Sequence, residues 1–224
     1  MHYTDFYIPM VNTEVDIKRL KQEVDEYIQI DYSKPIKARS FGITTTKEFV
    51  NDPFFNFRKH QTISEPDANG VRRLPGGELD SDVTLWPKML EGSYMKELTK
   101  TFNDILQLEN PRVRLSVTNG PSKLALHYDE HTPYRVHICL QTGPGANWIF
   151  MEDSGMIDVI HQPCTPNPVL INAGTVMHGL NIPEGVQRIH IWYQYHKPVS
   201  REILNKLQND IEIKMKEQNA SPTA

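Results

Sequence analysis

From residue 112 to residue 196 the chain is a succession of short β-rich runs: VRLSVT, KLALHYD, YRVHICLQT, NWIFMED, MIDVIH, PVLINA, TVMHGL and QRIHIWYQY. Gly, Pro and Asn turns separate them, and no pattern of helical length interrupts them. Short strands at regular spacing argue for an antiparallel sandwich or barrel. The fold class expected is therefore mainly β, with helices flanking the β block.

Three segments outside the block have apolar residues at helical spacing. TEVDIKRLKQEVDEYIQ, with Asn12 or Thr13 as its cap, aligns Val15, Leu20, Val24, Tyr27 and Ile28. SYMKELTKTFNDILQLE aligns Met95, Leu98, Phe102, Ile105 and Leu106, and SREILNKLQNDIEIKMKEQ starts just after Pro198. The tail NASPTA has no core-forming residue and is expected to fray. Between the first two helices, roughly 50–90, PDANGVRRLPGGELDSD belongs to a long irregular stretch that reads equally as a lid or as a surface excursion. No internal repeat or linker divides the chain. It reads as one domain over 1–224: a helical or irregular part at 1–110, a β core at 112–198 and a helix at 199–218.

Alternation along two strands bears on chemistry. Residues two apart share a strand face. YRVHICLQT places Arg135, His137 and Cys139 on one face and Val136, Ile138 and Leu140 on the other. QRIHIWYQY repeats the pattern, with Arg188, His190 and Trp192 opposite Ile189, Ile191 and Tyr193. Either the Arg/His faces meet water, or they line a polar interior while the amphipathic helices cover the apolar faces. A pocket holding two arginines suits a small anion, because guanidinium takes carboxylate in a two-pronged contact.

Metal-ligating types cluster nearby. His127-Tyr128-Asp129 ends one strand, and a distal His178 stands at the mouth of another. Two histidines and one carboxylate form the facial triad of non-haem Fe(II) oxygenases, which leaves metal positions open. His131 could complete a local zinc site instead, although the following Thr-Pro ranks it below His178. His161 and His196 read as structural or solvated, and His2 and His60 carry no signal. There is no nucleophile elbow, P-loop or dinucleotide fingerprint. A net charge of −4 gives no basic face for nucleic acid, and no apolar run is long enough for a bilayer span. MHYTDFYIPM has no signal-peptide pattern, and Cys139 and Cys164 form no C-x-x-C motif. The expectation is a cytoplasmic protein with reduced thiols and no membrane or nucleic-acid partner.

Taken together, HYD, the following RVH, His178 and Arg188 ten residues later resemble the Fe(II)/2-oxoglutarate-dependent oxygenases. Within them the closest likeness is to the aspartyl/asparaginyl β-hydroxylase-like group, which includes free-proline hydroxylases. The resemblance covers roughly 112–198 and does not extend to the N-terminal half. It implies a double-stranded β-helix (jelly roll), with Fe(II) held by His127, Asp129 and His178 and with 2-oxoglutarate and O2 as cosubstrates. It also implies that Arg188 binds the far carboxylate of 2-oxoglutarate, with Arg135 and His137 assisting and His190 and Trp192 lining the pocket. Trp148 and the 50–90 stretch are weaker candidates for the substrate side. Some members of the group lack the carboxylate ligand; Asp129 is present here, which argues against a halogenase. The implied substrate is an amino acid or a peptidyl residue of Pro or Asp/Asn type. A cupin-like Zn or Mn enzyme and a non-catalytic β-sandwich are the competing readings, and the oligomeric state is open.

Overall fold

The computed structural model describes residues 4–28, 38–47, 50–51, 82–129 and 133–220. Two short strands, β1 (Tyr7–Pro9) and β2 (Ala38–Gly42), precede the β block. The block consists of β3 (Arg112–Asn119), β4 (Ser122–His127), β5 (Tyr134–Gln141), β6 (Asn147–Met151), β7 (Ile157–His161), β8 (Val169–Asn172), β9 (Met177–Ile182) and β10 (Gln187–Tyr195). Each of the eight expected runs is a strand.

Pairing within the block is nested. β3 pairs with β10, β4 with β9, β5 with β8 and β6 with β7, all antiparallel. That is one long hairpin with its turn between β6 and β7. Cross-pairing of β5 with β10 and of β6 with β9 rolls the hairpin onto itself. Two sheets result, in the orders β1-β8-β5-β10-β3-β2 and β4-β9-β6-β7. This is the double-stranded β-helix, or jelly roll. β1 and β2 lie within the part read from the sequence as helical or irregular, 1–110. Each adds an edge strand to the larger sheet, β1 on β8 and β2 on β3. Both are short, and Pro9 is tolerated because β1 is an edge.

Among the described residues three α-helices pack on the larger sheet: α1 (Ile17–Ile28), α2 (Tyr94–Leu106) and α3 (Arg201–Ala220). α1 starts later than expected. Asp16 Oδ1 accepts the Arg19 backbone N–H at 2.9 Å, so Asp16 caps the helix rather than Asn12 or Thr13. Val15 is buried but precedes the helix. Ser93 caps α2 by accepting from the Lys96 N–H, and Ser200 accepts from the Ile203 N–H at the start of α3.

Helix and sheet share one core. Leu20 and Val24 of α1, Met95 and Phe102 of α2, and Leu207 and Ile211 of α3 pack with Val113, Val136, Ile191 and Tyr193 of the larger sheet. Helices therefore cover the apolar face of that sheet. Its other face meets the four-stranded sheet, across which Tyr7, Val169 and Ile171 pack with Phe150, Leu180 and Ile182. Burial of both faces resolves the alternation: the Arg/His faces of β5 and β10 point into the roll and not to water. No helix among the described residues is long and apolar enough to cross a membrane.

Phe102 joins the two layers. It is fully buried, its ring meets Tyr193 edge-on at 4.9 Å, and the Tyr193 hydroxyl donates to the Met95 carbonyl at 2.8 Å. Phe102→Ala is expected to cost about 3–5 kcal/mol of unfolding free energy, the usual range for a buried aromatic. Urea denaturation measures it, and a loss under roughly 1 kcal/mol would show that α2 does not anchor the sheet.

Candidate functional site

His127, Asp129 and His178 converge, with one donor atom from each lying within 4.8 Å of the others. Their meeting depends on a β-bulge. Leu124 pairs with Leu180 and His127 with His178, so three residue steps on β4 span two on β9. In an unbulged strand, side chains three apart point to opposite faces. The extra residue turns His127 to the side that His178 occupies. Gly179 lies opposite the bulge, and a Cβ there would sit 2.6 Å from the Leu124 carbonyl oxygen. Asp129 is placed by backbone bonds instead. Its N–H donates to the Ala173 carbonyl at 2.9 Å, and the Ala173 N–H donates to the Pro133 carbonyl at 2.9 Å.

The histidines are oriented for ligation. Nδ1 of His127 lies 2.8 Å from the Ala125 carbonyl, and Nδ1 of His178 lies 3.3 Å from that of Val176. A carbonyl can only accept, so these contacts assign the proton to Nδ1 and leave a lone pair on each Nε2. His178 Nε2 then faces Asp129 Oδ2 at 3.1 Å. A lone pair against a carboxylate oxygen at that distance is repulsive unless a cation or an added proton lies between them. Asp129 Oδ2 is buried, with the Arg135 guanidinium as its counter-ion at 2.7 Å. A buried, ion-paired carboxylate and two imidazole lone pairs directed together fit a divalent metal ion.

Asp129 is ionised. Burial raises its pKa, Arg135, whose Nη1 lies 2.7 Å from Oδ2, lowers it, and the carboxyl is held at about 2. Arg135 thus serves the metal end. It stands across from Gln194, at the far end of β10 from Arg188.

Arg188 is 1% exposed. Its Nη1 donates to His190 Nδ1 at 2.8 Å, its Nη2 donates to Gln162 Oε1 at 3.0 Å, and its guanidinium lies 4.8 Å from the centre of the Trp148 ring. All three partners are neutral. Burial pulls the pKa of Arg188 down to about 10, so it keeps its charge at neutral pH. Burial, reinforced by nearby positive charge, holds His137 and His190 well below the usual histidine range. His190 therefore accepts from Arg188 as a neutral ring. His137 stacks on Trp192 at 5.8 Å, meets Trp148 edge-on at 5.1 Å, and has a buried Nδ1 without a hydrogen-bond partner.

All eight residues singled out from the sequence lie in or around this interior, in two groups. His127, Asp129, His178 and Arg135 form one group, a candidate metal end; Arg188, His190, His137 and Trp192 form the other, a candidate anion end, with Trp148 between them 6.1 Å from His178. His161 is outside both and anchors its Nδ1 at 3.0 Å from the Ala146 carbonyl. His2, His60, His131 and residues 52–81 of the irregular stretch lie outside the described residues.

Sequence reasoning missed Gln162. This buried side chain accepts from both Arg188 and Trp148 Nε1, the latter at 2.9 Å, and its amide reaches the His137 carbonyl at 3.5 Å. It stands in QPCTPNP, a turn-rich run with no periodicity to mark it. Arg112 and Arg114 were also missed. They face the same interior opposite Gln194 and Trp192, with the Arg114 guanidinium 5.4 Å from the Trp192 ring centre, and strand alternation along RVRLSV could have found them.

No protein-family model matches the chain, and no curated protein matches it in sequence. Solved structures do resemble it. A prolyl-4-hydroxylase from Pseudomonas putida is 18% identical at a TM-score of 0.36, over 50% of this chain and 62% of that one, short of two thirds of its length. A 2OG-Fe(II) oxygenase family oxidoreductase from Burkholderia pseudomallei is 12% identical at a TM-score of 0.46, covering 80% of this chain and 78% of that one. A prolyl hydroxylase from Trichoplax adhaerens, in complex with a hypoxia inducible factor peptide fragment, is 10% identical at a TM-score of 0.47, covering 86% and 84%. At these identities the likeness is one of fold, and the chemistry has to be argued from the residues.

Gly179→Ala tests the bulge. The added methyl presses on the Leu124 carbonyl and is expected to cost about 1–3 kcal/mol. Because that strain falls on the strand carrying His127, divalent-metal affinity should drop by roughly tenfold or more. Calorimetric metal titration reads it, and an unchanged affinity would mean that the bulge does not place His127.

Proposed function

We propose that the chain is an Fe(II)- and 2-oxoglutarate-dependent dioxygenase of the aspartyl/asparaginyl β-hydroxylase-like group. It hydroxylates a C–H bond of a free amino acid or of a peptidyl residue, of Pro or Asp/Asn type. The observation that carries this reading is a buried guanidinium without a carboxylate among its described contacts, enclosed in the same roll as a two-histidine, one-carboxylate cluster. A buried cation held only by neutral groups is poorly compensated, and a bound anion supplies the missing charge. A facial metal site together with an anchored carboxylate is what a chelating oxo-acid needs.

In this reading His127, Asp129 and His178 hold the metal and Arg135 keeps Asp129 ionised. Fe(II) bound there supplies O2 activation coupled to the decarboxylation of 2-oxoglutarate to succinate. Arg188 takes the distal carboxylate of the cosubstrate, and His190, neutral and fixed as an acceptor, orients the guanidinium. His137, Trp148 and Trp192 wall the space between the two ends and exclude water from it. We take residues 1–224 as one oxygenase domain, since β1 and β2 complete the larger sheet. We place it in the cytoplasm on its free thiols.

Anaerobic addition of Fe(II) and then 2-oxoglutarate is expected to give a visible charge-transfer band. Asp129→Ala should abolish metal binding. Arg188→Ala should leave metal binding intact while weakening 2-oxoglutarate by roughly 30-fold or more, the equivalent of about 2 kcal/mol for a buried charge pair. Succinate formation unchanged in Arg188→Ala would remove the cosubstrate assignment. Metal binding unchanged in Asp129→Ala would remove the triad.

A further inference from the structure

The two cysteines of the chain, 25 residues apart in sequence, meet in the fold with their sulfurs 3.2 Å apart. Cys139 lies on β5 opposite His190 and is 2% exposed; Cys164 lies after β7 and is exposed. We propose that Cys139 and Cys164 are a reversible thiol–disulfide pair, closed by low-molecular-weight disulfides, and that closure loosens the Arg188 anion site.

Geometry carries the first half. A disulfide bond is about 2.0 Å long, so the sulfurs need to approach by only about 1 Å. One thiol is accessible to attack on a small disulfide, and the other is buried within reach of the product. Exposure assigns the roles: Cys164 is open to a small disulfide, whereas Cys139 is buried behind it. Cys164 is therefore the attacking thiolate, with the nearby Arg188 charge favouring its ionised form, and Cys139 the resolving thiol.

The chemistry balances. Cys164 thiolate attacks one sulfur of oxidised glutathione, breaking that S–S bond and releasing one glutathione thiolate. Cys139 then loses its proton to solvent and attacks the Cys164 sulfur of the mixed disulfide, expelling the second glutathione thiolate. Two protein thiols are oxidised, and one small disulfide is reduced to two thiols.

Chain connectivity carries the second half. Gln162 is two residues from Cys164 and accepts from Arg188 Nη2 and Trp148 Nε1 through its single carbonyl oxygen. Drawing Cys164 toward β5 pulls on the segment that presents Gln162, and Arg188 loses alignment of its Nη2 bond. This half rests on the reading of Arg188 as the 2-oxoglutarate anchor; the first half does not.

The test treats the metal-loaded chain with oxidised glutathione, reads the intact mass, and then titrates 2-oxoglutarate. The expected mass change is the loss of two hydrogens with no adduct, reversed by dithiothreitol. Cys164→Ser should show no change, and Cys139→Ala should stop at a glutathione adduct on Cys164. A stable adduct on the wild type, or no reaction, overturns the pair. Oxidised wild type should bind 2-oxoglutarate roughly tenfold more weakly than reduced, a shift within the usual range for coupled sites. Cys164→Ser should bind like reduced wild type before and after treatment. Equal affinity in both redox states overturns the link to Arg188. If reduced wild type binds no 2-oxoglutarate at all, the cosubstrate reading fails instead, and the mass measurement still decides the disulfide.

Discussion

Arg188 is a full positive charge in the middle of a protein, held by an imidazole nitrogen, an amide oxygen and an indole face. Dipoles compensate a buried cation only in part, so each of those partners has to be held in place by others. His190 must stay neutral to accept, and burial beside Arg188 keeps it so. Gln162 must present its oxygen and not its nitrogen, and Trp148 Nε1 enforces this by donating to the same oxygen at 2.9 Å. Trp148 is in turn positioned by β6, which pairs with both β7 and β9. The requirements of one guanidinium thus extend into both sheets.

The candidate metal end obeys a different constraint. Its three side chains come from three places: an edge strand, the connection that follows it, and β9 in the middle of the smaller sheet. A regular ladder would turn His127 away from His178, and the bulge on β4 corrects this at the cost of strand regularity. Edge strands tolerate such irregularity because only one neighbour must adapt, and here the adapting residue is Gly179. The carboxylate needs no strand of its own, since the hydrogen bond of Asp129 to Ala173 ties the connection to the end of β8.

Much of this was legible in the sequence where side-chain period and strand geometry agree. The eight β runs are strands because turn residues bound each of them, and the Arg/His faces of β5 and β10 follow from alternation alone. Departures from that period were not legible. The bulge adds a residue with no distinguishing chemistry, Ala125 or Leu126. Gln162 acts from a turn-rich segment, where position in sequence says nothing about which side chain turns inward. β1 is too short to show a pattern. Asp16 took the cap of α1 from Asn12 and Thr13 because Val15 is drawn into the core before the helix begins. Arg135 reads in sequence as the twin of Arg188, and only the antiparallel register places the two at opposite ends of the interior.

That separation has a chemical consequence. Of Arg135 and Arg188, the first contacts a carboxylate of the protein itself, whereas the second contacts none among the described residues. The paired arginine holds the Asp129 carboxyl ionised. The other keeps an unneutralised charge in a low-dielectric space, where the attraction for an entering carboxylate is greatest. In the proposed reading, the choice of an anion at one end and a cation at the other follows from which arginine already has its counter-ion.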